Sequence, residues 1–239
     1  MTSCWWRGDR LRELAERLQG TSGARAEVLV ADLTDPRGLG AVEARAAGDE
    51  SLVLLVNNAG FGGYRPFVDI DPGTLDDLIS VHVRAVARLT RATLPGMVRR
   101  GAGGVINVAS LLALSGTVPP NPLPHRATYA GAKAFIVTLT QALAGELRET
   151  GVRVQVCLPG LVATEYHALV GRDVSRMPPM MAAADVVTAS LAAFARGEVV
   201  CIPALDDPAL LDRLSEAQQA LLRFGATPTL ARRYRPGAA

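Results

Sequence analysis

Lysine is all but missing from this chain: of its 25 basic residues only Lys133 is lysine, and the rest are arginine. Cysteine is nearly as scarce. Cys4, Cys157 and Cys201 form an odd set with no CxxC spacing and no histidine cluster beside them, which excludes a disulfide framework and a zinc module and reads as reduced thiols of a cytoplasmic protein. No run of 18 apolar residues occurs and the first residues carry no apolar signal core, so neither a membrane span nor a secretory leader is expected. No excess of charge marks a nucleic-acid surface either, since the net charge is +2 and the arginines are scattered among 23 acids. What remains is a chain of 239 residues, 49% apolar and 20% charged, enough to bury a sizeable core.

Periodicity organises that core. Leu11, Leu14, Ala15 and Leu18 fall at helical spacing, and Glu27 to Leu33 reads as a short buried strand followed by capping residues Thr34 and Asp35. A second apolar strand, Leu52 to Val56, stops at Asn57-Asn58-Ala59-Gly60 and leads into the glycine-rich loop Phe61 to Phe67. A long helix then runs from Asp71-Pro72 to about Arg100, with a kink or break expected at Pro95. The remaining strands are Gly104 to Ala109, ending at Ser110, Val152 to Leu158, ending at Pro159-Gly160, and Glu198 to Pro203. Between them lie helices at about 128–150, closed by Gly151, and at 182–196; another follows at 208–224. This alternation predicts an α/β fold over 1–239, one doubly wound parallel sheet with helices on both faces, and a loosely ordered tail at 225–239. Ligands in such sheets bind beyond the carboxyl ends of the strands, where Asp32, Asn57 to Gly60, Ser110 and Pro159-Gly160 share one crevice.

Tyr129 precedes the lone lysine by four residues, one helical turn away on the same face. A phenol with a pKa near 10 is protonated at neutral pH, and a nearby ammonium brings it closer to the working range of an acid–base catalyst. Taken in order, Asn57-Asn58-Ala59-Gly60, Ser110 at a strand end, Tyr129-xxx-Lys133 and Pro159-Gly160 resemble the short-chain dehydrogenase/reductase family over nearly the whole chain. Asp32-Leu33 and Thr164 match that pattern as well. The resemblance implies a Rossmann-like oxidoreductase that interconverts a carbonyl and a secondary alcohol with NADP or NAD. Tyr129 would be the acid/base, Lys133 would lower its pKa and hold the nicotinamide ribose, and Ser110 would donate to the substrate oxygen. Asp32, Leu33, Asn58, Ala59, Gly60, Pro159, Gly160 and Thr164 would line the cofactor. Each also has a plainer reading: Asp32 as a helix cap, Asn57 and Asn58 as turn residues, Ser110 as a strand stop and Pro159-Gly160 as a loop breaker.

Departures from the family pattern are equally informative. None of the 23 glycines forms GxxxGxG, the turn that cradles the cofactor's pyrophosphate. The resemblance therefore implies an N-terminally truncated domain, entered at the end of the family's second strand, with Ser3 to Arg7 as the remnant and about 30 residues absent. Arg7 there favours the 2′-phosphate of NADP over NAD. A cofactor-free binding or regulatory protein, or a lyase or isomerase using the same triad for proton transfer, is the alternative. His82 stands where the family usually has Asn, so it is a candidate for the proton relay, with activity expected to follow its own titration. Ser110 and Tyr129 are 19 residues apart, a longer spacing than usual, and the surplus is the Pro-rich segment Thr117 to His125. His125 and Arg126 at its end are candidates for substrate contact, and the segment with Ala163 to Met181 suits an apolar lid. Apolar positions on more than one face of the helices at 72–100 and 128–150, together with the family's habit of pairing them, imply a homodimer or homotetramer.

Overall fold

The computed structural model describes residues 8–121, 123–169, 171 and 173–235. Its chain groups into two compact units, one ending at Pro203 and one starting at Ala204. In chain order the first unit holds α1 (Gly8–Ser22), α2 (Pro36–Ala47), β1 (Leu54–Asn57), α3 (Pro72–Ile79), α4 (Val86–Arg100), β2 (Gly103–Val108), α5 (Ala127–Glu146), β3 (Val152–Cys157), β4 (Val162–Ala163), α6 (Tyr166–Leu169), β5 (Met181–Ala182), α7 (Ala183–Ala195) and β6 (Val200–Cys201). The second unit is built on one amphipathic helix, α8 (Ala209–Gly225). The expected Arg7 contact and the remnant strand lie outside the described residues, as does the end of the tail.

The main sheet has the order β1-β2-β3-β6, all parallel, and β4 pairs with β5 in a small separate ladder. Buried Val86, Ala109, Ile136, Val137, Val156 and Leu158 form one layer between the sheet and helices α4 and α5. On the opposite face Ala193 of α7 packs with Ile106, Cys157 and Cys201. Helices thus cover both faces of a parallel sheet, the α/β class that the alternation predicts.

Through the first layer runs a buried polar chain. The Asn57 amide donates to Thr90 Oγ1 at 3.1 Å and to Asn107 Oδ1 at 2.8 Å, and the Asn107 amide donates to Thr140 Oγ1 at 2.9 Å. It ties β1 and β2 to α4 and α5 directly beneath the crevice. Replacing Asn107 by leucine would leave the Asn57 donor and Thr140 acceptor unmatched in the core, so a loss of about 2–4 kcal/mol in urea unfolding is expected.

Three local expectations need correction. Glu27 to Leu33 forms no ladder among the described residues; Val28, Leu29 and Val30 are 37%, 48% and 47% exposed. An apolar run becomes a strand only where a neighbouring backbone meets its N–H and C=O groups, and β1 is hydrogen-bonded only to β2 among the described residues. The segment Glu198 to Pro203 contributes only Val200 and Cys201 to the sheet. Pro95 does not break α4, and it lies on the exposed face of that helix. The irregularity lies earlier, in a π-helical turn over Ser80–Ala85 that joins α3 to α4 and carries His82 inward.

Candidate active site

Parallel strands bring their carboxyl ends to one rim. Asn58, Ala59 and Gly60 lie exposed past β1, Ser110 is buried past β2, and past β3 Pro159 is buried with Gly160 open to solvent. The rim is closed by backbone bonds: Ala109 N–H donates to Cys157 O at 2.8 Å and Leu111 N–H to Pro159 O at 2.9 Å. Ser110 also starts a short helical turn, its Oγ accepting from Leu112 N–H at 3.2 Å, so its rotamer is set by the chain that follows. Asp32 accepts from the N–H and Oγ1 of Thr34 at 2.7 and 2.6 Å, a turn before α2, while the cap of that helix is Asp35 and not Asp32. Leu33 is packed against Leu39, Ala85 and Leu89. Thr164 is exposed past β4.

Tyr129 and Lys133 rise from the first two turns of α5. Lys133 is 4% exposed, and its ammonium donates to Val108 O at 2.9 Å and lies 5.7 Å from the centre of the Tyr129 ring. Burial lowers its pKa to about 8. Burial also raises the Tyr129 phenol, and hydrogen bonds from Ser110 and Tyr64 oppose that shift. Ser110, Tyr129 and Lys133, which the motifs single out, are thus brought to one place on the rim.

His82 joins them from the π-helical turn, its ring edge-on to Tyr129 at 5.5 Å and its side chain almost wholly buried. Nε2 lies 2.8 Å from Phe61 O and 3.3 Å from Phe61 N; a neutral ring has one N–H, and the shorter contact makes Nε2 the donor to the carbonyl. Nδ1 is then a buried acceptor with no partner among the described residues. Burial, and after it the Lys133 charge, lowers the His82 pKa to about 3. This moves the expected histidine limb of the activity profile well below neutral pH. Between about 3 and 6.5 the unfolded chain holds a proton that the folded chain refuses. Stability is therefore complete above pH 6.5 and falls as the pH drops through 3, by on the order of 4 kcal/mol at the acid limit. His82→Asn is expected to move the acid-unfolding midpoint, read by circular dichroism, to lower pH.

The insert before α5 is held from inside. Arg126 is buried, and its guanidinium donates to Ser115 Oγ at 2.6 Å and to the carbonyls of Ser115, Val118 and Pro124 at 2.7, 2.6 and 3.0 Å. Arg126 is thus committed to the loop and not to substrate contact, while His125 is exposed. Met177, Met180 and Met181 are half-buried in the stretch between β4 and α7.

Sequence reasoning missed two residues here. Tyr64, from the glycine-rich loop, sets its ring 5.3 Å from that of Tyr129, tilted by 56°. Tyr166, from α6, accepts from Gly62 N–H at 2.8 Å. Three of the chain's four tyrosines therefore meet at one place, and the only prior signal was a tyrosine embedded in each of two loops flanking the motifs.

Comparison with known proteins agrees with this fold. The short chain dehydrogenase family model matches residues 1–174. The chain belongs to the short-chain dehydrogenase family. A relative in Escherichia coli (strain K12), the oxidoreductase UcpA, is 34% identical over 164 residues, covering 68% of this chain and 60% of that protein. The chain thus aligns with less than two thirds of that relative's length. Among solved structures, a short-chain dehydrogenase from Sphingobium yanoikuyae in complex with NADPH superposes with a TM-score of 0.89 at 35% identity, covering 96% of this chain and 88% of its own. The bulky-bulky ketone specific alcohol dehydrogenase from Comamonas testosteroni gives a TM-score of 0.86 at 30% identity, covering 96% and 86%.

Proposed function

We propose that this short-chain dehydrogenase family member is an NAD(P)(H)-dependent oxidoreductase that interconverts a small-molecule ketone and a secondary alcohol, with Tyr129 as the acid/base. The observation that carries this reading is the half-buried Tyr129, its ring 5.7 Å from the buried Lys133 ammonium and its phenol held down by the Ser110 hydroxyl against the effect of burial. The residues suit the nicotinamide-ribose half of a cofactor. A buried ammonium that spends one N–H on Val108 O keeps two donors for ribose hydroxyls, and the exposed Asn58-Ala59-Gly60 and Gly160 edges leave room for a flat ring. For the pyrophosphate half, the described residues offer no glycine-rich turn at a helix start. NADP(H) is favoured over NAD(H) by the likeness to the NADPH-bound Sphingobium protein. When bound, the cofactor supplies or accepts the hydride; the chain's own residues handle the proton.

In the reducing direction Ser110 hydrogen-bonds the substrate oxygen, where negative charge develops, and Tyr129 gives its phenolic proton to that oxygen. Lys133 stabilises the phenolate left behind. Neutral His82 holds the Phe61 carbonyl and offers Nδ1 as an acceptor, a positioning role that does not depend on its own titration. The exposed Leu111 and Leu114, with the half-buried methionines, favour an apolar substrate. Fluorescence titration with NADPH and NADH, followed by loss of reduced-nicotinamide absorbance on addition of ketones, tests the reading. Absence of binding at millimolar cofactor would sink it.

The helix pair α4 and α5 carries a groove of 570 Å³ lined by Leu94, Pro95, Val98, Leu139 and Leu143 among others, and Phe135 nearby is 36% exposed. Buried Val86, Leu89 and Ile136 already belong to the core of one subunit, which leaves the groove as the face suited to a homodimer; sedimentation would report it. No helix among the described residues is long and apolar enough to cross a membrane. Cys157 and Cys201 face each other in register on β3 and β6 as free thiols, which fits a reducing cytoplasm.

A further inference from the structure

The loop between β1 and the helical turn at Phe67–Asp69 brings a second phenol to the first. Tyr64 lies against the Tyr129 ring at 5.3 Å and 56°, and its hydroxyl is one of the two that offset the burial of the Tyr129 phenol. The contact is enforced by its surroundings. A Cβ built on Gly62 would stand 2.4 Å from Tyr64 Cε2 and 2.4 Å from the Tyr166 hydroxyl, so only glycine lets the two tyrosines close on that backbone. Gly62 N–H in turn donates to Tyr166. The Lys133 ammonium, by contrast, sits 5.7 Å from the centre of the Tyr129 ring.

We propose that Tyr64 is a further catalytic residue, a second phenol whose hydroxyl donates to Tyr129 Oη and stabilises the phenolate that forms when Tyr129 gives up its proton. The proposal rests on the reading of Tyr129 as acid/base. In ketone reduction the carbonyl carbon receives hydride from a reduced nicotinamide, its oxygen takes the Tyr129 proton, and the Tyr129 O–H bond breaks to leave a phenolate. Tyr64 keeps its own proton throughout and strengthens its hydrogen bond as charge arrives, and water restores the Tyr129 proton afterwards. Such a donor is needed because burial works against ionisation of Tyr129, and the hydroxyls of Ser110 and Tyr64 are the groups that offset it. The groups facing Tyr129 are Ser110 after β2, Tyr64 from the loop, Tyr166 from α6, His82 from the π-helical turn and Lys133 one turn along α5. Of these, Tyr166 acts in the opposite sense, since its charge when ionised raises the Tyr129 pKa.

Ultraviolet titration of tyrosinate in the cofactor-free chain tests this without relying on turnover. The Tyr129 signal is the difference between chains with and without Tyr129→Phe, measured in otherwise wild-type, Tyr64→Phe and Tyr166→Phe backgrounds. Removal of the Tyr64 hydroxyl is expected to move the Tyr129 midpoint to higher pH, and removal of the Tyr166 hydroxyl to move it lower. A general loosening of the pocket would shift both the same way, and that result, or an unmoved midpoint in Tyr64→Phe, overturns the proposal. With a ketone and NADPH, Tyr64→Phe should lose about tenfold in kcat at pH 7 with KM nearly unchanged. Opposite shifts without turnover in any chain would keep the phenol pair and dispose of the dehydrogenase reading. Turnover without the shift would remove the pair alone.

Discussion

Replacing Tyr129 by phenylalanine is expected to lower ketone turnover about 10³-fold at neutral pH while leaving the unfolding temperature nearly unchanged. The ring stays, and with it the contacts to Tyr64 and His82, so the packing around the first turns of α5 survives. What disappears is the phenolic proton donor of the proposed reaction, and water must then serve without the position that α5 gives the phenol. A Tyr129→Phe chain that keeps more than a tenth of wild-type kcat would show that the proton comes from elsewhere. Thermal unfolding followed in parallel separates a chemical loss from a folding defect.

Lys133→Met should do something less usual, stabilising the cofactor-free chain while abolishing most of its activity. An ordinary lysine titrates at 10.5, and Lys133 is lowered to about 8, so at pH 7 the fold carries a charge that it holds less well than water does. That difference corresponds to roughly 3 kcal/mol, of which about 1 is given back when the hydrogen bond to Val108 O is lost. A net gain of about 2 kcal/mol is expected in urea unfolding at pH 7, together with a fall of at least about 10²-fold in kcat/KM. The pH dependence has a definite sign. From about 8 to 10.5 the unfolded chain binds a proton that the folded chain has released, so wild-type stability rises across that window as far as this group is concerned. The rise should be missing from Lys133→Met. Loss of stability at pH 7 in the variant would mean that the ammonium is better solvated inside the fold than its burial implies. Activity bought at the expense of stability is common where a site must hold a charge out of water.

These two residues were the most legible part of the sequence, because a unique lysine at helical spacing from a tyrosine leaves a mark that composition alone exposes. The parallel sheet was legible for a related reason: Val152 to Leu158 and Gly104 to Ala109 are apolar without alternation, as strands covered on both faces must be. Glu27 to Leu33 has the same texture and forms no strand among the described residues, since texture reports an affinity for burial and not the presence of a neighbour to bond with. Likewise Arg126 looked like a surface cation beside a substrate loop. Only the folded loop shows three carbonyls and a hydroxyl turned toward one point, which is a property of backbone direction that no residue pattern encodes. Tyr64 was hidden for the opposite reason: its loop is rich in glycine, and the conformation that delivers its hydroxyl to Tyr129 depends on Gly62 having no side chain at all.

The burial of Lys133 also decides how this protein meets reagents. Acylating dyes, aldehyde crosslinkers and enzymes that modify ε-amines find the one lysine of this sequence inside α5, 4% exposed and bonded to Val108 O. A lysine-specific protease meets the same obstacle, so a cut after Lys133 requires the helix to open. The amount of the fragment ending there counts molecules in which α5 has opened, and the chain carries its own gauge of how often it does so.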